Sequence, residues 1–253
     1  MSGSRPAWPP VSDVRWDDTH RLIPAVFADT DEPILATLAG GEAGNEAGNE
    51  AGDEAEDEAE DDVGALVALA AATNARLQAQ ANALPAGIHQ DELVFAVPHW
   101  RIINASFCHP HPLGSRFNGP DRGAWYAGRD VGTSLAEVAH HRSVDLAEIN
   151  RWELVAQYRD YVSDIHAPLH DLRGPRQPRR TRACLDPDSY TQSQSLAATL
   201  LAAGSVGIAY PAVRDAGRDA VVCFRPAAVA NVRAGPTYTL TWSGGPVPEI
   251  NEA

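Results

Sequence analysis

The chain has 253 residues, 44% of them hydrophobic, enough for one sizeable domain or two small ones. Its formal charge is −14, but eleven of the 34 acidic side chains fall within Glu42–Asp62 and the remainder carries only −3. All twenty basic residues are arginine, which excludes a catalytic Schiff-base lysine and a P-loop lysine, and an acidic body argues against nucleic acid as a direct partner.

Residues 1–35 are rich in Pro and Trp and read as irregular, with "HRLIPAVF" (His20–Phe27) the first segment suited to dock on the body. The opening "MSGSRPAWPPVSD" lacks the apolar core of a signal peptide. Residues 41–62 repeat a Gly-Asn/Asp-Glu-Ala unit without a large apolar side chain. Burial there cannot offset the entropy of ordering, so the spacing predicts a disordered acidic surface insert, with a partner-binding arm or nucleic-acid mimic as the rarer use of such a run. Residues 63–84 carry strong helix formers with apolar positions three and four apart and predict a helix. Its run Val63–Ala72 is the longest apolar stretch and is too short to span a bilayer.

"ELVFAV" (Glu92–Val97) predicts a short strand, and "GAWYAG" (Gly123–Gly128) a second one between turns. Thr133–Ile149 predicts a helix with Leu135, Val138, Ala139, Leu146 and Ile149 near one face. Arg151–Ile165 mixes β-branched and aromatic residues as a strand does, and Arg173–Pro187 reads as a basic, Pro-containing loop. Asp188–Gly204 predicts a helix capped by Asp188 and stopped by Gly204. "VGIAYPAV" (Val206–Val213) and "AVVCFRP" (Ala220–Pro226) predict strands, and "TYTLTW" (Thr237–Trp242) a last strand with one buried face. Strands outnumber helices without a regular βαβ repeat. The expected fold is therefore α+β, a mixed β-sheet core with flanking helices.

Three polar residues stand out around the second strand and the helix after it: Arg116, Tyr126 and Glu137. Arg116 lies in the glycine-flanked loop "GSRFNG", where a planar guanidinium suits a bidentate grip on pyrophosphate; the plain alternative is a surface arginine. Tyr126 alternates with Trp125, so one ring faces the core and the other faces away. Glu137 completes the pattern Ser134-x-x-Glu137, a capping box. Cap and site are compatible roles, because a carboxylate in a first helical turn is held ionised by the helix dipole. "CHPH" (Cys108–His111) with His140 and His141 lacks metal-site spacing, so no metal is expected. No G-x-S-x-G or G-x-G-x-x-G motif is present. Three widely spaced cysteines (Cys108, Cys184, Cys223) fit a reducing cytoplasm.

Taken together, "SRFNGPDRGAWYAGRDVGTSLAEVAHHR" closely resembles the core of the RES domain, the toxin half of bacterial RES–Xre toxin–antitoxin pairs. "HRLIPAVF", "AAATNARL" and "SYTQSQSLAATLLAAGSVGIAYPAVR" followed by "AVVCFRP" resemble other family segments in the same order. The resemblance implies one RES-type domain over 1–253 with its NAD-binding catalytic core at 92–242, a fold similar to ADP-ribosyltransferases, and cleavage of the nicotinamide–ribose bond of NAD by phosphorolysis or hydrolysis. It implies NAD as substrate with phosphate as a possible co-substrate, no tightly bound cofactor, an Xre-like helix-turn-helix antitoxin as partner, and a homodimer. Carried over, Arg116 holds the NAD phosphates, Tyr126 stacks near nicotinamide or ribose, and Glu137 stabilises the ribosyl cation. Arg142, His141 and Arg214 are further pocket candidates. The family serine stands in a "YPS-R" segment that here reads Tyr210-Pro211-Ala212-Val213-Arg214, so Ala212 lacks the hydroxyl. Ser193, Ser205 or a water is the candidate replacement. Two alternatives follow: a protein ADP-ribosyltransferase on the same scaffold, or a catalytically impaired NAD- or antitoxin-binding module.

Overall fold

The computed structural model describes residues 8–28, 87–174 and 179–253. The acidic insert 41–62 and the expected helix 63–84 lie outside the described residues. Among those residues seven strands form one mixed sheet: β1 (Val11–Pro24), β2 (Trp125–Gly128), β3 (Glu153–Asp171), β4 (Gly207–Pro211), β5 (Asp219–Cys223), β6 (Ala230–Ser243) and β7 (Glu249–Glu252). Their order is β1-β2-β5-β4-β3-β6-β7, and β1 also pairs with β3. That extra pairing closes five strands into a ring from which β6 and β7 continue. Only β3 and β4 run parallel, through His170–Ile208 and Asp171–Ala209. The α+β expectation holds.

Among the described residues the helices are α1 (Ala25–Ala28), α2 (Trp100–Cys108), α3 (Val131–Glu148), α4 (Arg179–Arg182) and α5 (Thr191–Ala202). Each of the three longer ones seals a different cluster of apolar side chains. Ile102, Ile103 and Phe107 of α2 pack with Trp125, Ile165, Leu169 and Val221. Ala197 and Leu200 of α5 cover Ile208, Tyr210, Ala220 and Val222. Leu135 and Leu146 of α3 cover Leu22, Tyr158, Leu240 and Trp242. Successive strand residues point to opposite faces, so Trp125 enters the first cluster while Tyr126 packs against the second. The α3 and α5 helices thus sit over different parts of the sheet and leave Tyr126 between them.

Several sequence expectations need correction. Within residues 1–35, expected to be irregular, Val11–Pro24 is a 14-residue strand, paired with β3 from Val11–His170 to Pro24–Tyr158. Its period-2 pattern is hidden by a register shift between Trp16 and Thr19, where Asp18 takes a left-handed φ of 55°. Buried Val14 and Trp16 are therefore out of phase with buried Thr19, and Leu22, although even-numbered like them, packs in a different cluster. "ELVFAV" forms no strand. A 3-10 turn occupies Gln90–Glu92, and the Asn104 side chain then bonds both Val94 N (3.1 Å) and Val94 O (2.7 Å), replacing a strand partner. "TYTLTW" lies within the longer β6 and is followed by β7. The α5 helix has Tyr190 at its N-cap, while Asp186, not Asp188, accepts from the turn amides of Asp188 and Ser189. Gly204 does end it, with φ of 84°.

Candidate active site

A cleft of about 220 Å³ opens where α3 and the segment before α5 flank β2. It is lined by Tyr126 and Tyr210 of the sheet, by Thr133, Ser134, Glu137 and His141 of α3, and by Arg116 and Tyr190.

The loop before β2 is locally determined. Gly114 has φ of 71°, and a Cβ there would stand 2.2 Å from Asn118 O, so only glycine fits. Ser115 and Asn118 then bridge their backbones (2.9 and 3.4 Å), and Gln194 of α5 donates to Ser115 O at 3.1 Å. Tyr126 reaches back under this loop. Its hydroxyl accepts from Phe117 N and donates to Asn118 Oδ1, both at 2.8 Å. Burial pushes its phenol up, only partly opposed by the Phe117 N–H and the Arg21 and Arg116 charges, so it stays protonated. Tyr126 therefore fixes the loop that carries Arg116.

Arg116 is 4% exposed. Nη1 donates to the carbonyls of Asp186 (2.6 Å) and Cys184 (3.4 Å), and the guanidinium lies 4.7 Å from the centre of the Tyr190 ring. Nη2 is buried without a hydrogen-bond partner, and no carboxylate among the described residues forms an ion pair with this cation. Burying a cation without a counter-charge is costly. A site that binds an anion has a reason to keep one.

Glu137 reaches the cleft by a different route from the expected one. The N-cap of α3 is Asp130, whose Oδ1 accepts from Thr133 N at 3.0 Å, so the helix starts before Ser134 and Glu137 lies in its second turn. The capping box is not formed. Ser134 instead donates to His20 O (2.6 Å) and accepts from Gly128 N (3.0 Å), tying helix to strands. A Cβ on Gly128 would stand 2.7 Å from that Ser134 oxygen, which is why the strand can turn so tightly into α3. The dipole effect fades within the first turn. Burial alone would raise the Glu137 carboxyl; the hydrogen bond from His141 Nε2 at 3.0 Å and the charges of His141, Arg116 and Arg214 outweigh it and hold the group below the usual glutamate value.

The other candidates divide. Ala212 lines the cleft, as does His141. Arg142 does not. Its Nε and Nη2 donate to Tyr158 Oη (3.3 and 3.2 Å) and Nη1 to Asp145 (3.1 Å), and the Tyr158 bond raises its already high pKa. Arg214 is also absent from the lining: Nη2 donates to Pro187 O at 2.6 Å, although its charge is felt at Glu137. Neither Ser193, bonded to Tyr190 O, nor Ser205, close to Gly207 O, reaches the cleft in place of the missing hydroxyl. The hydroxyl-bearing residues Ser115, Thr133 and Ser134 do line it.

Sequence reasoning missed Arg21. It lines the cleft from β1, donates from Nη1 to Tyr126 O at 3.1 Å and stacks 4.9 Å from the Trp125 ring centre. Burial lowers its pKa to about 10, and Nε has no hydrogen-bond partner. The available signal was an arginine inside the apolar segment "HRLIPAVF". Among the described residues no group of three His, Cys, Asp or Glu is placed to hold a metal, and no helix is long and apolar enough to cross a membrane.

Residues 93–243 match the family model of the RES domain. The chain belongs to the RES domain family. The match contains Arg116, Tyr126, Glu137 and Ala212 and leaves β1, with Arg21, outside it. The solved structure of the M. tuberculosis MbcT–MbcA toxin–antitoxin complex contains a chain similar to this one at 17% identity and a TM-score of 0.39, covering 55% of this chain and 75% of that chain. No curated protein matches the sequence.

Proposed function

We propose that this RES protein cleaves the nicotinamide–ribose bond of NAD and acts as a growth-arresting toxin in the cytoplasm, neutralised by an Xre-like helix-turn-helix antitoxin. The observation that carries the reading is a pair of opposite charges lining one cleft: the buried Arg116 guanidinium, which has no ion-pair partner among the described residues, and the ionised Glu137. NAD offers complementary charges, an anionic pyrophosphate and a cationic nicotinamide riboside. Arg116, aided by Arg21, would grip the pyrophosphate, and Tyr126 and Tyr210 would floor the nicotinamide ribose. The likeness to ADP-ribosyltransferases, the homodimer and the role of phosphate belong to this proposal.

The chemistry asks little of the protein beyond placement and charge. Nicotinamide leaves a cationic ring as a neutral base, taking the bonding pair of the glycosidic bond, so no general acid is needed. Ordinary glycosidases use two carboxylates; here one stabilises the oxocarbenium-like state. A phosphate oxygen attacking the ribose carbon gives ADP-ribose-1″-phosphate. Water gives ADP-ribose and releases a proton. Preorganised charge and orientation supply the rate.

Ala212 supports a second reading, a RES module that binds NAD or antitoxin with impaired turnover. Incubating the purified chain with NAD, with and without phosphate, separates the cases. ADP-ribose-1″-phosphate only with phosphate identifies a phosphorylase, free ADP-ribose in both a hydrolase, and a labelled protein acceptor in lysate a transferase. Intact NAD in every arm leaves the binding module and overturns the enzyme.

A further inference from the structure

The hydrogen bond from His141 Nε2 to Glu137 Oε1 joins two residues one helical turn apart, both lining the cleft. Their side chains remain 53% and 42% exposed, and solvent screening makes such a pair a minor contributor to stability. Its value must lie elsewhere.

Consider what Glu137 would do without it. The charges of Arg116 and Arg214 both act on its carboxyl, yet neither guanidinium forms an ion pair with it among the described contacts. Arg116 still has a buried, unpartnered Nη2. A carboxylate released from His141 would be drawn toward the Arg116 charge that already acts on it, and an ion pair between the two would close the site with its own charges. The other titratable neighbours offer no rival hold. Burial, then the charges of Arg214 and His141, lower the pKa of His140, whose ring stands 5.5 Å from that of His141 and stays largely neutral at pH 7. Tyr210 is held protonated by burial and by the Glu137 charge.

The geometry points to His141 as a positioning residue that keeps Glu137 and Arg116 apart, so that each stays open to an opposite end of one ligand. The ligand's identity as NAD rests on the reading above; the His141–Glu137 hydrogen bond is present without ligand.

Three variants test it: His141→Leu, His141→Gln and His141→Leu combined with Glu137→Ala, with NAD binding by calorimetry and turnover measured for each. His141→Leu should weaken NAD binding and raise KM roughly tenfold, the size of a direct side-chain coupling, at an unchanged melting temperature. His141→Gln, which restores an N–H donor, should recover most of the loss. In the Glu137→Ala background, His141→Leu should leave NAD affinity unchanged, because no carboxylate is left to misplace. Equal weakening in both backgrounds, or none in either, overturns the assignment. A crystal structure of ligand-free His141→Leu supplies the NAD-independent arm. Glu137 in contact with Arg116 supports the positioning role, and Glu137 unmoved overturns it. Wild-type protein that neither binds nor cleaves NAD refutes the NAD reading, while this structure still decides the positioning.

Discussion

Arg116 and Arg122 lie six residues apart on one loop, and both are nearly buried, at 4% and 7% exposure. Their surroundings are opposite. Arg122 donates from Nη1 to Glu92 Oε1 at 2.8 Å and to Gly87 O at 2.9 Å, and from Nη2 to Phe224 O at 2.5 Å; Glu92 is bound in turn by Arg225 at 2.9 Å. Burial would raise the Glu92 carboxyl, but the Arg122 bond, the His89 amide and both arginine charges hold it low. Arg122 is thus a compensated charge that pins residues 87–92 to the end of β5. Arg116 has two carbonyls and an aromatic face and no carboxylate. A buried cation answered within the chain builds structure, and one left unanswered is available to an anion from outside.

The difference can be broken experimentally, and the largest effect should be on stability. Arg122→Ala strips a buried ion pair of one partner and should cost about 3 kcal/mol in denaturant unfolding, at the low end for such pairs because Arg225 still holds Glu92. Arg116→Ala should cost only about 1 kcal/mol of stability, the scale of ordinary hydrogen bonds, while weakening NAD binding on the order of 100-fold through lost charge-assisted bonds. Equal stability losses for the two variants would erase the distinction. A third arginine sharpens it. Bonds from Arg173 to Asp171, at 2.9 and 2.7 Å, hold that carboxyl down to about 2. A carboxylate whose folded pKa is depressed adds stability above its unfolded value and loses it as pH falls through the folded one. Wild-type stability should therefore drop between about pH 4 and pH 2, with Asp171→Asn removing up to about 2 kcal/mol at pH 7 and flattening that limb. The smallest expected effect is Ala212→Ser, which should raise NAD turnover about fivefold, the scale of one neutral hydrogen bond.

Much of this site was legible because its signals are local. "GAWYAG" contains a strand with one ring on each face, the apolar spacing of Leu135, Val138, Ala139 and Leu146 does bury α3, although Ile149, expected on the same face, is exposed at the helix end, and the order Arg116, Tyr126, Glu137 does converge on one cleft. What escaped depends on distant partners. The capping-box pattern at Ser134 misplaced the helix start because that hydroxyl serves His20 O and Gly128 N, and neither bond is visible in a local pattern. The β1 strand was hidden by the bulge at Asp17–Asp18, and Arg21 with it. Arg142 could have been set aside from helix geometry alone: five residues beyond Glu137 it points about 140° away around α3, whereas His141 shares the Glu137 face.

Nicotinamide release from NAD by the wild-type chain and by Glu137→Ala tests the central claim most directly. The account predicts release by the wild type and a loss of at least about 100-fold in the variant, the size seen when a transition-state charge stabiliser is removed, with the melting temperature unchanged. Equal release by both proteins would contradict it, since the charge opposite Arg116 would then play no part in the reaction.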